Sequence, residues 1–138
     1  MKTNYFQLKP GEALPEVSAF KPFLAAMVIE EPVTPEWRDH VSQWLVKSGC
    51  LYMLAWGAEC EKWHDAVDWA NIEQFDHGDI PEDELVMTTW HDGQALSEFF
   101  RESKDITTNS CVDFSNSLII HISSQNKEQE LLAEYLQA

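Results

Sequence analysis

Cys60, His91, Asp92 and His121 are the residues whose chemistry stands out first. A cysteine near a helix N-terminus ionises more readily, because the helix dipole favours a thiolate. His91 or His121 could serve it as a base, and Asp92 adjoins His91. The same residues have a plainer reading. Cys60 shares an apolar helical stripe with Trp63, as a small buried hydrophobe would. Loops at strand ends are polar in α/β proteins of every function. No catalytic residue is assigned on this basis, and the four stand as the alternative reading.

His64 and Asp68 lie four apart, a helical spacing that lets both reach one metal ion. No third ligand is compelled and HExxH is absent, so a solvated acidic helix is the expectation and no metal is assigned. Phosphate cradles are missing too. The chain has five glycines and neither GxGxxG nor GxxxxGK[ST]. One strand ends Ile29-Glu30-Glu31-Pro32, which would repel a phosphate. GxSxG is also absent, so no hydrolase elbow is supported and no cofactor is implied.

What remains is a contact surface. Residues 56–92 hold eleven of the 24 acidic residues and four of the six tryptophans, against Lys62 as the sole base. Aromatics bury area at an interface, and charge selects the partner. On a regular helix Trp69 points away from the apolar stripe, while Glu61, Asp65 and Asp68 form an acidic row. Phe75 follows in an acidic loop that could alternatively fold over Trp69. The other three tryptophans read as structural: Trp56 and Trp90 close core strands and Trp63 packs a helix onto them. Partner-binding residues are therefore expected at Trp69, Glu61, Asp65, Asp68 and Phe75.

The net charge of −15 excludes the classes that need a basic face. Nucleic-acid backbones and anionic membranes would be repelled. A basic protein surface is the expected partner, or a second copy of the chain as a homodimer. The plain alternative is that the charge serves solubility. Cys50, Cys60 and Cys111 form no CxxC pair, which fits a reducing cytoplasm. The N-terminus is polar and proline-bearing, so no leader is expected.

The elements that must position these residues alternate. Phe23–Ile29, Cys50–Trp56, Leu85–Trp90 and Leu118–Ile122 read as four strands, the first two as continuous apolar runs. Thr34-Pro35 reads as an N-cap followed by proline at the first helical position, and Gly49 ends that helix. A second helix runs from about Ala58 to Glu73. A third starts near Asp92 and packs through Leu96, Phe99, Phe100 and Ser103. The last is capped by Ser123 or Ser124 and packs through Leu131, Leu132, Tyr135 and Leu136. Residues 1–22 and the stretch Asp105–Asn116 are expected to be irregular. The pattern predicts a single-domain α/β three-layer sandwich over residues 1–138, with about four mostly parallel strands, flavodoxin-like or half-Rossmann-like.

The run W-G-x-x-C-x-x-W-H-D-x-V-D-W-A-N from Trp56, followed by M-T-T-W-H from Met87, resembles a family of small acidic bacterial proteins of unknown function, met in accessory or mobile gene pools. The resemblance implies no activity. It implies that Trp56, Gly57, Cys60, Trp63, His64, Asp65, Asp68 and Trp69 belong to the segment by which the family is recognised.

The leading expectation is a non-enzymatic protein-binding, regulatory or accessory protein. The alternative is a small enzyme or ligand-binding domain with a Cys/His/Asp pocket at the strand ends. A DNA mimic comes third, because the near-neutral first fifty residues leave little room for a duplex-length array of carboxylates.

Overall fold

The computed structural model describes residues 2–138. Nine principal elements follow one another: β1 (Lys2–Leu8), β2 (Phe23–Ile29), α1 (Pro35–Ser48), β3 (Cys50–Gly57), α2 (Cys60–Gln74), β4 (Met87–His91), α3 (Leu96–Asn109), β5 (Asn116–Ile122) and α4 (Glu128–Gln137). The five strands form one sheet in the order β1-β5-β2-β3-β4, with every neighbouring pair parallel.

The expected sandwich is present, with five strands rather than four. The additional one is β1, within the segment expected to be irregular. Setting β1 aside, β2 to β5 lie in the spatial order of the first four strands of a Rossmann sheet, with the reversal between β2 and β5. β1 adds on beyond β5, in register from Lys2 opposite Asn116 to Leu8 opposite Ile122.

β2 shows why its seven residues are all apolar. Phe23, Ala25, Met27 and Ile29 join one core, while Leu24, Ala26 and Val28 join the other, and all seven are buried. Alternation along a strand sends neighbours to opposite faces, so a strand covered twice must be apolar throughout. The first face is covered by α1 and α2 through Trp37, Val41, Leu45, Trp63 and Val67. The β1–β2 connection helps cover it, pinned to α1 where the Trp37 and Trp44 indoles donate to the carbonyls of Glu12 and Pro15. The second face is covered by α3 and α4 through Phe99, Phe100, Leu131 and Tyr135.

Local signals explain the helix ends only in part. Thr34 Oγ1 accepts from Trp37 N–H, Pro35 opens α1, and Gly49 closes it at φ +102°. α3 starts at Leu96 rather than near Asp92, and it runs on to Asn109 through residues expected to be loop. α4 starts at Glu128, whose N–H donates to Asn126 Oδ1 at 3.0 Å rather than to a serine; Ser123 and Ser124 bond Glu31 instead. Leu131 and Tyr135 are buried on α4 as expected, but Leu136 is 75% exposed. β4 is a sheet edge, and Trp90, expected to close a core strand, is 44% exposed there. Among the described residues no helix is long and apolar enough to cross a membrane.

Candidate functional site

The carboxyl end of the sheet carries two separate groups of polar side chains. The first sits at the switch point between β2 and β5, where sheets of this order bind their ligands. Here the protein's own side chains bond one another, and a crevice of about 380 Å³ opens beside them, lined by Glu30 and Lys127 together with Ile29, Trp56, Leu96 and Leu131. His121 is fully buried; its Nε2 is 2.5 Å from Glu30 Oε1 and its Nδ1 is 2.6 Å from the Tyr5 hydroxyl. Lys127 Nζ donates to the other Glu30 oxygen at 2.9 Å, and Lys127 N–H donates to the Tyr5 oxygen. One proton arrangement satisfies every member: Nε2–H donates to Glu30, and Tyr5 O–H donates to Nδ1.

Burial alone would push the Glu30 carboxyl up, but the hydrogen bonds from Lys127 and His121 together outweigh it and hold it below its ordinary value. Glu31 is held down by the Ser124 hydroxyl and N–H, each 2.6 Å away. Where a Rossmann sheet would cradle a phosphate, this chain holds two ionised carboxylates.

The second group surrounds the start of α2. β3 ends at Gly57, whose φ is +106° and where a Cβ would stand 2.1 Å from the Ile29 carbonyl oxygen. That close approach turns the chain sharply into α2. Glu59, at φ 54°, precedes the helix without capping it by its side chain. A crevice of about 460 Å³ opens there, lined by Glu59, Cys60, Glu61, Lys62, Asp65, Trp90 and Asp92 together with Gly57. Lys62 is already engaged 2.6 Å from Glu59, which holds the Glu59 carboxyl below its ordinary value. Glu61 and Asp92 have no ion-pair partner among the described residues. A crevice walled by carboxylates and an indole suits a cation.

The four chemistry-bearing residues of the alternative reading lie in three places. Cys60 and Asp92 line the crevice. Cys60 is also part of the α1/α2 core and only 4% exposed. His91 turns to the α3 side, with Nδ1 3.1 Å from Glu102 and its ring against Phe99. His121 belongs to the switch-point group, with β2 and β3 between its strand and β4.

The expected partner-binding residues are closer together. Glu61 and Asp65 line the crevice and are exposed. Asp68 faces β4, where it accepts from Thr88 Oγ1. His64 lies between Asp65 and Asp68 at 2.9 and 3.5 Å, its ring centroid 4.6 Å from that of Trp90. Among the described residues no three His, Cys, Asp or Glu side chains gather as a metal site. Trp69 points outward and is 55% exposed. The following loop does reach back, but through His77, 5.4 Å from the indole, while Phe75 is half-buried.

The model of one protein family, a domain of unknown function (DUF7684), matches residues 3–138. The chain belongs to this family. The DUF7684 match runs from β1 to α4, so both polar groups fall inside it. No curated protein and no solved structure matches the chain.

Tyr5 and Lys127 were missing from the sequence expectation, because β1 was unrecognised and Lys127 sits in a loop. Glu30, Glu31, His121 and the two serines were legible only as strand-end residues, since the Glu30–His121 pairing spans 91 positions. The exposure of Trp90 depends on strand order, which no local signal carries.

Proposed function

We propose that this protein is a non-enzymatic binding protein, of regulatory or accessory kind, that engages a basic protein surface through α2 and its surroundings. The exposure of Trp69 on the outer face of an acidic helix carries the reading. An indole held in water beside Asp65 offers apolar area and charge selection in one place. Trp90 extends that surface on the β4 side of the same helix. The enzyme reading has less support, because Cys60, His91, Asp92 and His121 do not share one cavity.

The test is capture from a lysate of the source cells, with wild type compared against Trp69→Ala and Glu61→Gln/Asp65→Asn. A basic protein retained at low salt, released as salt screens the charge, and lost from both variants is expected. Identical capture by wild type and both variants, or none at low salt by a monomeric wild type, overturns the reading.

A further inference from the structure

β4 ends the sheet, and among the described residues its outer row of N–H and C=O groups faces no strand. Edge strands are normally guarded against pairing by lysines, prolines or bulges. The β4 sequence, Met-Thr-Thr-Trp-His, contains neither a lysine nor a proline, and its pairing with β3 runs without a register shift. Its guards are acidic and lie outside it: Glu82, Asp83 and Glu84 before the strand, Asp92 after it. Two apolar side chains stand exposed on its opposite faces, Met87 at 52% and Trp90 at 44%.

We infer that this edge accepts an extended basic segment of another protein as a sixth strand. The inference rests on the protein-binding reading and specifies its partner and its mode. Charge selects the occupant. A second copy would bring its own flanking carboxylates and a net charge of −15 against this edge. A segment with alternating basic residues would instead meet opposite charge at both ends of β4. Alternation matters because every second side chain of an added strand falls on the α2 side, where Trp90 lies against His64. An Arg or Lys there reaches the crevice of Glu61, Asp65 and Asp92 with Trp90 as its wall. Backbone pairing supplies binding that is blind to sequence, and the crevice supplies the preference for a cation.

The probe is a capped octapeptide alternating Arg and Val, titrated by fluorescence anisotropy and followed on isotopically labelled protein. Three further peptides accompany it: one N-methylated at every second residue, one at every residue, and one with Glu in place of Arg. Methylating alternate nitrogens leaves one hydrogen-bonding edge intact; methylating all of them leaves none. Strand addition predicts amide shifts concentrated in residues 87–91 and affinity within about threefold for the half-methylated peptide. It also predicts losses of about tenfold or more for the fully methylated and Glu peptides, and about tenfold for Trp90→Ala with the unmodified peptide. Retained affinity of the fully methylated peptide overturns strand addition in favour of side-chain contact alone. No binding of the unmodified peptide also overturns it, while a captured partner that depends on Glu61 and Trp69 would leave the protein-binding reading standing. Loss of that capture with the peptide pattern intact would do the reverse.

Discussion

His121, with no exposed surface, directs its Nε2 at the Glu30 carboxylate 2.5 Å away and so ties β5 to β2 at the reversal of the sheet. Glu30→Gln keeps the shape but removes the charge that both His121 and Lys127 face. A loss of about 1.5–3 kcal/mol is expected, the range for hydrogen bonds to charged groups. Urea unfolding at neutral pH measures it.

The same carboxylate gives the acid response a sign. The Glu30, Glu31 and Glu59 carboxyls all lie below the ordinary 4.5 in the folded chain. A depressed folded value contributes stability in full above about 4.5, and that stability is lost as pH falls through the folded values. Lys127, raised by Glu30, works oppositely: its contribution is full below 10.5 and lost as pH rises beyond it. Melting temperature should fall on the acid side more steeply for wild type than for Glu30→Gln. Equal acid slopes would remove Glu30 from that account.

Gly57→Ala should be among the most damaging single-methyl changes in the chain. The new Cβ would meet the Ile29 carbonyl oxygen at 2.1 Å, and φ of +106° is strained for any other residue. Backbone on both sides leaves no flexible side chain to move. A loss of about 3 kcal/mol or more is expected, read by thermal unfolding. A change under about 1 kcal/mol would mean that the strand ends move apart freely.

The tryptophans of α2 should separate cleanly. Trp63 is 1% exposed between helix and sheet, and Trp63→Ala should cost about 3–5 kcal/mol. Trp69 is 55% exposed, and Trp69→Ala should stay within about 0.5 kcal/mol of wild type in the same denaturation experiment. A large stability loss at Trp69 would make it a structural residue.

Thiol titration checks the cysteines. Cys111 is exposed, while Cys50 and Cys60 are buried, and burial pushes the Cys50 thiol up to about 12. One thiol should react promptly with an aromatic disulfide reagent in native protein, and all three after denaturation. Rapid reaction of Cys60 in Cys111→Ser protein would revive its candidacy as a nucleophile.

What could be read in advance follows burial. β2 and the middle of β3, Met53 to Ala55, declare themselves because apolar runs are needed where both faces are covered. The Thr34 cap and Gly49 are local devices, so α1 was legible at both ends. β1 was not, because Lys-Thr-Asn-Tyr-Phe-Gln-Leu mixes polar and apolar residues on an edge whose partner strand lies more than a hundred residues away. Trp90 differs from its expected place in the core because its exposure comes from being last in the sheet. Helical periodicity gives the outward direction of Trp69. Whether the acidic loop covers it, and that Asp68 turns to Thr88 on β4, depend on tertiary packing that no local signal carries.

The placement of β1 also has a consequence for the order of synthesis. Among the described residues its one strand partner is β5, which follows the other four strands in sequence. β1 is made before the other four strands and stays unpaired with them until residues 116–122 have been made, while β2, β3 and β4 can assemble in turn with their helices. Closing so long a loop is entropically costly and slow. The half-apolar composition of β1 suits that wait, because a strand as apolar as β2 left alone for so long would invite aggregation.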